Sequence, residues 1–227
     1  SFVGEIEKLA EVTCPDIAVI TNASGSHFAG FGSIEGIAKE KGALLMGLRC
    51  DGLAVLNFDD PWYSYWQSLL QGKRVLSFGF NQGAGIQAKG VSLSHQSSVS
   101  SVHYQGQVGD LILSVPGKHQ IANAMAVLLV MLELGIEFVE ACQRLSAPLI
   151  IDKRLQFQYS NSQALVLNDC YNASPKSVEA AIDVLVAQVQ CKKWLLLGAL
   201  GELGGLETEI HAQLGEYAFS AGVTGLI

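Results

Sequence analysis

Ala164-Leu165-Val166-Leu167-Asn168-Asp169-Cys170-Tyr171-Asn172-Ala173-Ser174-Pro175 is the stretch on which the fold turns. Its apolar opening, Ala164 to Asn168, reads as a buried strand of a parallel sheet that delivers polar side chains at its C-terminal end. Ser174 and Pro175 then read as the N-cap and first residue of a helix running through Val189. A serine oxygen can accept from an orphan N–H of the first turn, and proline has no N–H to leave unpaired. The pattern repeats downstream, with a strand over Trp194 to Leu197 and a helix over Leu206 to Ala221. Val223-Thr224-Gly225-Leu226-Ile227 then opens a further strand. Such βαβα alternation implies a parallel sheet with right-handed crossovers. It also predicts that Asp169, Asn172 and Glu202 lie along one sheet edge. Half a domain of this kind leaves apolar faces uncovered, so the C-terminus is expected to be a truncation.

Upstream, Ile17-Ala18-Val19-Ile20 reads as a buried strand ending in Thr21-Asn22. Ser33 is the expected N-cap of a helix over Ile34 to Leu45. Buried strands follow at Leu53 to Leu56, ending in Asn57-Phe58-Asp59-Asp60-Pro61, and at Arg74 to Phe80. From Val91 to Val115 the pattern becomes alternating between Ser- and Gly-rich turns, which predicts antiparallel strands. His119 to Leu134 is a helix with Ile121, Met125, Leu128, Leu129 and Leu132 on one face, stopped by Gly135. Ile136 to Leu145 is another helix. A boundary is expected near Ala147 to Lys153, dividing the chain into units 1–150 and 151–227. The fold class is therefore α/β, with one partial domain following another.

The chain has 227 residues, 49% of them hydrophobic, which is enough to bury a core. A net charge of −7 gives nucleic acid no electrostatic foothold. The five cysteines are scattered and form no CxxC pair, so neither zinc nor a disulfide framework is expected, and a reducing cytoplasm fits. No apolar run approaches the ~18 residues needed to span a membrane.

Ligands of open parallel sheets bind at the C-terminal ends of strands. Four polar clusters fall at such ends: Thr21-Asn22 with His27, Asn57 with Asp59 and Asp60, Asp169 with Asn172, and Gly198 to Gly204 with Glu202. One would be an ordinary solvated loop; four together favour a site. Read from residues alone, His27 is a loop histidine facing water, and Lys41 belongs to a solvated helix face. Helical spacing qualifies the second reading, because Ile34, Ile37, Ala38 and Lys41 fall near one face. An inward lysine is costly unless paired, neutralised or modified. Gly83-Ala84-Gly85 precedes no helix, so it is no nucleotide fingerprint, and no GxxxxGK[ST] occurs.

Several segments, taken in order, resemble the Mur ligase family across nearly the whole chain. Gly4-Glu5-Ile6 and Pro15 to Asn22 resemble the stretch after the family's metal-binding glutamate. His27 to Ser33 resembles its histidine loop, and Ile37 to Gly42 its lysine helix. Pro116 to Ala124 resembles the "GxHNxxNA" segment, Asn168 to Pro175 the "DDxYNANP" segment, and Leu197 to Gly204 the "LGDMxELG" segment. The last two point to the branch that joins D-alanyl-D-alanine to UDP-N-acetylmuramoyl-tripeptide. The resemblance implies a partial central ATPase domain followed by a partial Rossmann-like domain. The P-loop and the metal glutamate would lie before Ser1, and the end of the last domain after Ile227, leaving the 227 residues inactive alone.

The resemblance implies ATP and Mg²⁺ as cofactors, with a carboxylate phosphorylated by ATP and the acyl phosphate then displaced by the dipeptide amine. His27 and Lys41 would be the catalytic and metal positions, Lys41 as a carbamate whose hard oxygens suit Mg²⁺. Asn123, Arg154, Asp169 and Asn172 would face the nucleotide. Four departures stand out: Gln120 for asparagine, Ala199 for the aspartate of "GDM", Ala43 for the glutamate of "KGE", and Asp152-Lys153-Arg154 where Pro-Gly-Arg is usual. They keep two alternatives open, a non-catalytic Mur-like protein and another amide ligase of the superfamily.

Overall fold

The structure, a computed structural model, describes residues 3–24, 31–94, 97–147, 152–188 and 192–227. Helix α1 (Glu5–Thr13) precedes strand β1 (Ile17–Ile20), helix α2 (Ile34–Met46), strand β2 (Leu53–Asn57), helix α3 (Tyr63–Ser68) and strand β3 (Arg74–Gly79). Strands β4 (Ile86–Leu93), β5 (Ser98–Tyr104) and β6 (Gln107–Leu113) follow, then helices α4 (Lys118–Glu133) and α5 (Phe138–Leu145). Their sheet runs β1-β2-β3-β4-β5-β6, parallel through β4 and antiparallel from β4 to β6. β4 pairs with β3 only through Phe78–Ile86 and Gly79–Gln87. A six-residue connection therefore suffices where a full parallel crossover needs a dozen residues or more.

The two-residue period of the strands builds two cores. Leu53, Val55 and Phe78 face α4, which contributes Ile121, Met125, Leu128 and Leu129. Ala18, Ile20, Ala54 and Leu56 face the other way, against Ala38 and Leu45 of α2 and Trp66 of α3. Both faces of β1–β3 are covered, which is why these strands read as continuous apolar runs. Ser33 caps α2 as expected, its side chain accepting from Gly36 N–H at 3.0 Å.

Helix α1 has no side-chain cap of its own. The carboxylate of Glu40 supplies one from α2, accepting Gly4 N–H and Ile6 N–H, each at 2.8 Å. Glu40 is 6% exposed, a buried charge held by the partial positive end of a helix. Glu40→Ala leaves those N–H groups without their partner and is expected to cost about 1–3 kcal/mol. A urea midpoint unchanged from the natural chain would refute this role.

The second unit contains β7 (Gln156–Tyr159), β8 (Leu165–Asn168), α6 (Pro175–Val186), β9 (Trp194–Leu195), α7 (Glu207–Ala221) and β10 (Gly225–Leu226). Its core is Val178, Ile182, Leu200, Leu203, Leu214 and Ala218. Ser174 caps α6 in a reciprocal capping box with Ser177, and Pro175 begins the helix. Tyr217 of α7 donates to Asp183 of α6 at 2.7 Å, which pushes the phenol up to about 12.

The sheet here corrects the sequence reading. β9 and β10 are parallel, as predicted, but β8 pairs antiparallel with β7, and no ladder joins β8 to β9 among the described residues. The five residues between β7 and β8 close a local hairpin, tightened by Ser160 N–H to Ala164 O and Gln163 N–H to Ser160 O, each at 2.9 Å. Instead of one continuous sheet, two ribbons flank a cavity of about 710 Å³.

Candidate active site

Two constellations lie at strand ends. The first gathers the ends of β1, β2 and β3. Asn57 donates from Nδ2 to Thr21 O at 2.8 Å and accepts from Asp59 N–H at 2.9 Å. Asp59 accepts Phe80 N–H at 2.6 Å and Asn81 N–H at 3.1 Å. Asp60, 9% exposed, accepts Ala23 N–H and Trp62 N–H, each at 2.9 Å. A side chain at Gly79 would place its Cβ 2.8 Å from Asp59 Oδ1, so this close approach requires glycine. The sequence reading marked Asp59 and Asp60 as candidates for a ligand. Both hold backbone, fixing the strand ends beneath a site and leaving its floor rigid.

Lys41 stands on that floor. It is half-buried on the inward side of α2, with buried Ile37 and Ala38 one turn before it, while Ile34 remains exposed. Its Nζ donates to Asn22 O at 2.6 Å. Burial pushes its pKa down, and the charge of Asp60 partly restores it. Lys39, by contrast, pairs with Glu35 at the surface, at 2.7 Å. Beside the lysine, Asn22 O and Oδ1, Ser24 Oγ and Thr21 Oγ1 gather as oxygens: Ser24 donates its hydroxyl to Asn22 Oδ1 at 3.0 Å, and Asn22 Nδ2 donates to Thr21 Oγ1 at 3.4 Å. Oxygen donors of this kind suit a hard cation. No three-residue cluster of His, Cys, Asp or Glu suited to a metal occurs among the described residues. His27, three residues past Ser24, lies outside the described residues.

The second constellation sits where the two units meet. Asp169 accepts Leu155 N–H at 3.1 Å, and Tyr171 N–H donates to Lys153 O at 3.1 Å. These bonds hold Lys153 and Leu155 at φ 59° and 45°, a left-handed conformation uncommon outside glycine. Between them, exposed Arg154 lies over the Tyr171 ring, 4.6 Å from its centre. Burial raises the Asp169 pKa, while Leu155 N–H, Arg154 and His119 pull it down. His119, in the first turn of α4, is in turn lowered by the surrounding protein and raised by Asp169 and Asp183. The end of β8 thus faces the start of α4, whose next turn exposes Asn123. Asn172 is exposed, its Oδ1 accepting Ala173 N–H at 2.9 Å.

The cavity between β8 and β9 is walled by Asn168, Asp169 and Asn172 on one side and by Leu197, Ala199 and Leu200 on the other. Both strand-end loops therefore open on one space although their strands do not pair. Glu202 is not among its lining residues. Ala199 lies in that wall, where the resemblance expects an aspartate. Sequence reasoning missed His119, Tyr171 and Glu40. The neighbour of His119 lies 50 residues away, so no local spacing announces it; Tyr171 stood within the quoted segment.

The fold and these sites define a class: a two-part α/β protein with polar clusters at strand ends in both units. Comparison with known proteins gives the class a family. The model described as Mur ligase middle domain matches residues 1–131, and that described as Mur ligase, glutamate ligase domain matches residues 153–227. The chain belongs to the Mur ligase family. It is 33% identical over 97% of its length to the UDP-N-acetylmuramoyl-tripeptide–D-alanyl-D-alanine ligase of Escherichia coli K12, covering 49% of that protein. To the ligase of the same name from Bacillus subtilis 168 it is 34% identical over 93% of its length, covering 45%. Among solved structures, MurF from Acinetobacter baumannii superposes with a TM-score of 0.93 at 26% identity, over 99% of this chain and 49% of that one. MurF from Thermotoga maritima in complex with ADP superposes with a TM-score of 0.86 at 27% identity, over 100% of this chain and 51% of that one. The chain spans about half the length of the curated relatives it matches. No described helix is long and apolar enough to cross a membrane.

Proposed function

We propose that the chain is part of a cytoplasmic, ATP- and Mg²⁺-dependent ligase that joins D-alanyl-D-alanine to UDP-N-acetylmuramoyl-tripeptide in peptidoglycan precursor synthesis. Residues 1–150 are taken as central ATPase-type domain and 151–227 as Rossmann-like ligase domain. The observation that carries this is the likeness running through both units to relatives bearing that name. The geometry adds support, since both constellations gather polar side chains at strand ends and the second borders a cavity.

In this reading ATP supplies the phosphoryl group that activates the substrate carboxylate, and Mg²⁺ neutralises phosphate charge. Catalysis of this kind is positioning plus electrostatics. Arg154, fixed by its stacked Tyr171 and flanking strained residues, offers a guanidinium to phosphate. Asn123, Asp169 and Asn172 contact the nucleotide from the two units. Lys41, with His27, would hold the metal, as a carbamate formed by CO₂ on its free amine. Burial that lowers the lysine pKa supplies the free amine that CO₂ requires.

The test is phosphate release by the ligase containing this chain, assayed with the muramoyl-tripeptide and a panel of amino acids and dipeptides. Release that requires D-alanyl-D-alanine is expected. Release driven by a different amine would assign another amide ligase. No nucleotide-dependent release, with folding intact, would favour the non-catalytic reading that Ala199 and Gln120 suggest. The 227 residues alone, which contain no GxxxxGK[ST] loop, are expected to ligate nothing, because the phosphates lack their cradle of backbone amides.

A further inference from the structure

We infer that His211, on α7, is a positioning residue that clamps the 197–204 loop and so sets one wall of the cleft between β8 and β9. Two hydrogen bonds determine how it does this. Its Nε2 lies 3.1 Å from Leu200 N, and its Nδ1 lies 2.7 Å from Glu207 O. A backbone N–H can only donate, so Nε2 carries no proton. A carbonyl can only accept, so Nδ1 carries one. The ring is therefore neutral and held in its Nδ1–H form, the tautomer that a free histidine side chain disfavours.

The loop needs such a clamp. Glu202 has φ 60°, a left-handed conformation that costs a residue with a Cβ and persists only where the surroundings over-determine it. Buried Leu200 and Leu203 anchor the turn on either side by packing into the core. Packing alone does not fix the orientation of a peptide plane; the bond from Leu200 N–H to His211 does. Leu197 is already held by its N–H bond to Ile227 O at 2.9 Å, so Ala199 and Leu200 are the residues this fixes, and both line the cavity opposite Asp169. The Glu207 bond ties the ring to the turn of α7 that follows the loop. One side chain thus joins loop and helix, and its removal frees the wall without opening the core.

That the wall serves ligation rests on the function proposed above; the clamp itself does not. The experiment separates them. ¹⁵N imidazole spectra of the 227-residue chain are expected to show His211 protonated at Nδ1 and bare at Nε2. A protonated Nε2 at neutral pH overturns the clamp. Amide exchange at Leu200 is expected to quicken about tenfold in His211→Ala, the scale of one net hydrogen bond. His211→Gln, whose Oε1 reaches the place of Nε2, should restore protection, and His211→Asn, which supplies only the Nδ1-side donor, should not. Equal Leu200 exchange in all four chains overturns the inference. In the ligase, His211→Ala should raise KM for the acceptor several-fold with little change in kcat, and His211→Gln should recover it. Altered exchange with unaltered kinetics would retain the clamp and remove its part in ligation.

Discussion

Lys41→Ala is expected to lower turnover of the proposed ligase by about 10²–10³-fold, the range seen when one electrostatic stabiliser of a developing charge is removed. A short carboxylic acid added to the assay should restore part of it, because a small carboxylate can occupy the space left by the side chain and present the same oxygens. The folded chain supplies an internal control. Burial depresses the lysine pKa below its ordinary value of 10.5, so the charged form is disfavoured in the fold. Between the depressed value and 10.5 the unfolded chain binds more protons than the folded one. Stability therefore rises with pH through that window, and the cost of holding the charge is fully present below it. Lys41→Met keeps the apolar stem, removes the charge, and is expected to unfold no more easily than the natural chain at neutral pH. Its stability should lack the rise toward pH 10.5. A variant that loses activity yet keeps stability marks Lys41 as functional. Near-normal turnover in Lys41→Ala, with or without bicarbonate, would dismiss the proposed role.

The inward aspect of Lys41 was legible because helical spacing is local: Ile37, Ala38 and Lys41 share a face whatever packs against it. Ser33, Ser174 and Pro175 were legible for the same reason, since a cap is written within four residues of what it caps. Glu40 was not. Its partners at Gly4 and Ile6 are 36 and 34 residues away, and a charge between Lys39 and Lys41 looks like a solvated face until α1 arrives. Asp59 and Asp60 were correctly placed at a strand end, but their backbone partners at Phe80 and Ala23 were not visible, so their part in fixing the strand ends went unread. The β7–β8 hairpin was hidden because Gln156-Phe157-Gln158-Tyr159 is short and half polar, and one alternation is too weak a signal beside the apolar run of β8. In the second unit the alternation of strand and helix correctly placed the elements. It did not dictate which edges would pair.

Trp66 decides whether α2 is held where Lys41 needs it, and Trp66→Ala is expected to cost the first unit about 3–5 kcal/mol. The indole is fully buried and lies between α3 and α2. Its Nε1–H donates to Ala38 O at 2.9 Å, one turn before Lys41. The helices can approach this closely because position 42 has no side chain: a Cβ there would lie 2.9 Å from Leu69 Cδ1 and 3.4 Å from the Trp66 ring. Truncation removes the largest side chain in this core and leaves a cavity that Leu45, Leu56 and Leu70 cannot fill without moving. Trp66→Phe keeps most of the apolar surface but loses the donor and part of the ring volume, so it should cost less than Trp66→Ala, with about 1 kcal/mol of its loss from the hydrogen bond. Urea unfolding of the two variants checks both values. A loss under about 1 kcal/mol in Trp66→Ala would mean that the site collapses freely and that α2 is positioned by something else. If α2 instead shifts, Lys41 should lose its bond to Asn22 O, and its pKa should return toward the ordinary lysine value as burial is relieved. Measuring that pKa in Trp66→Ala therefore tests whether the core on this face of the sheet sets the chemistry of the lysine above it.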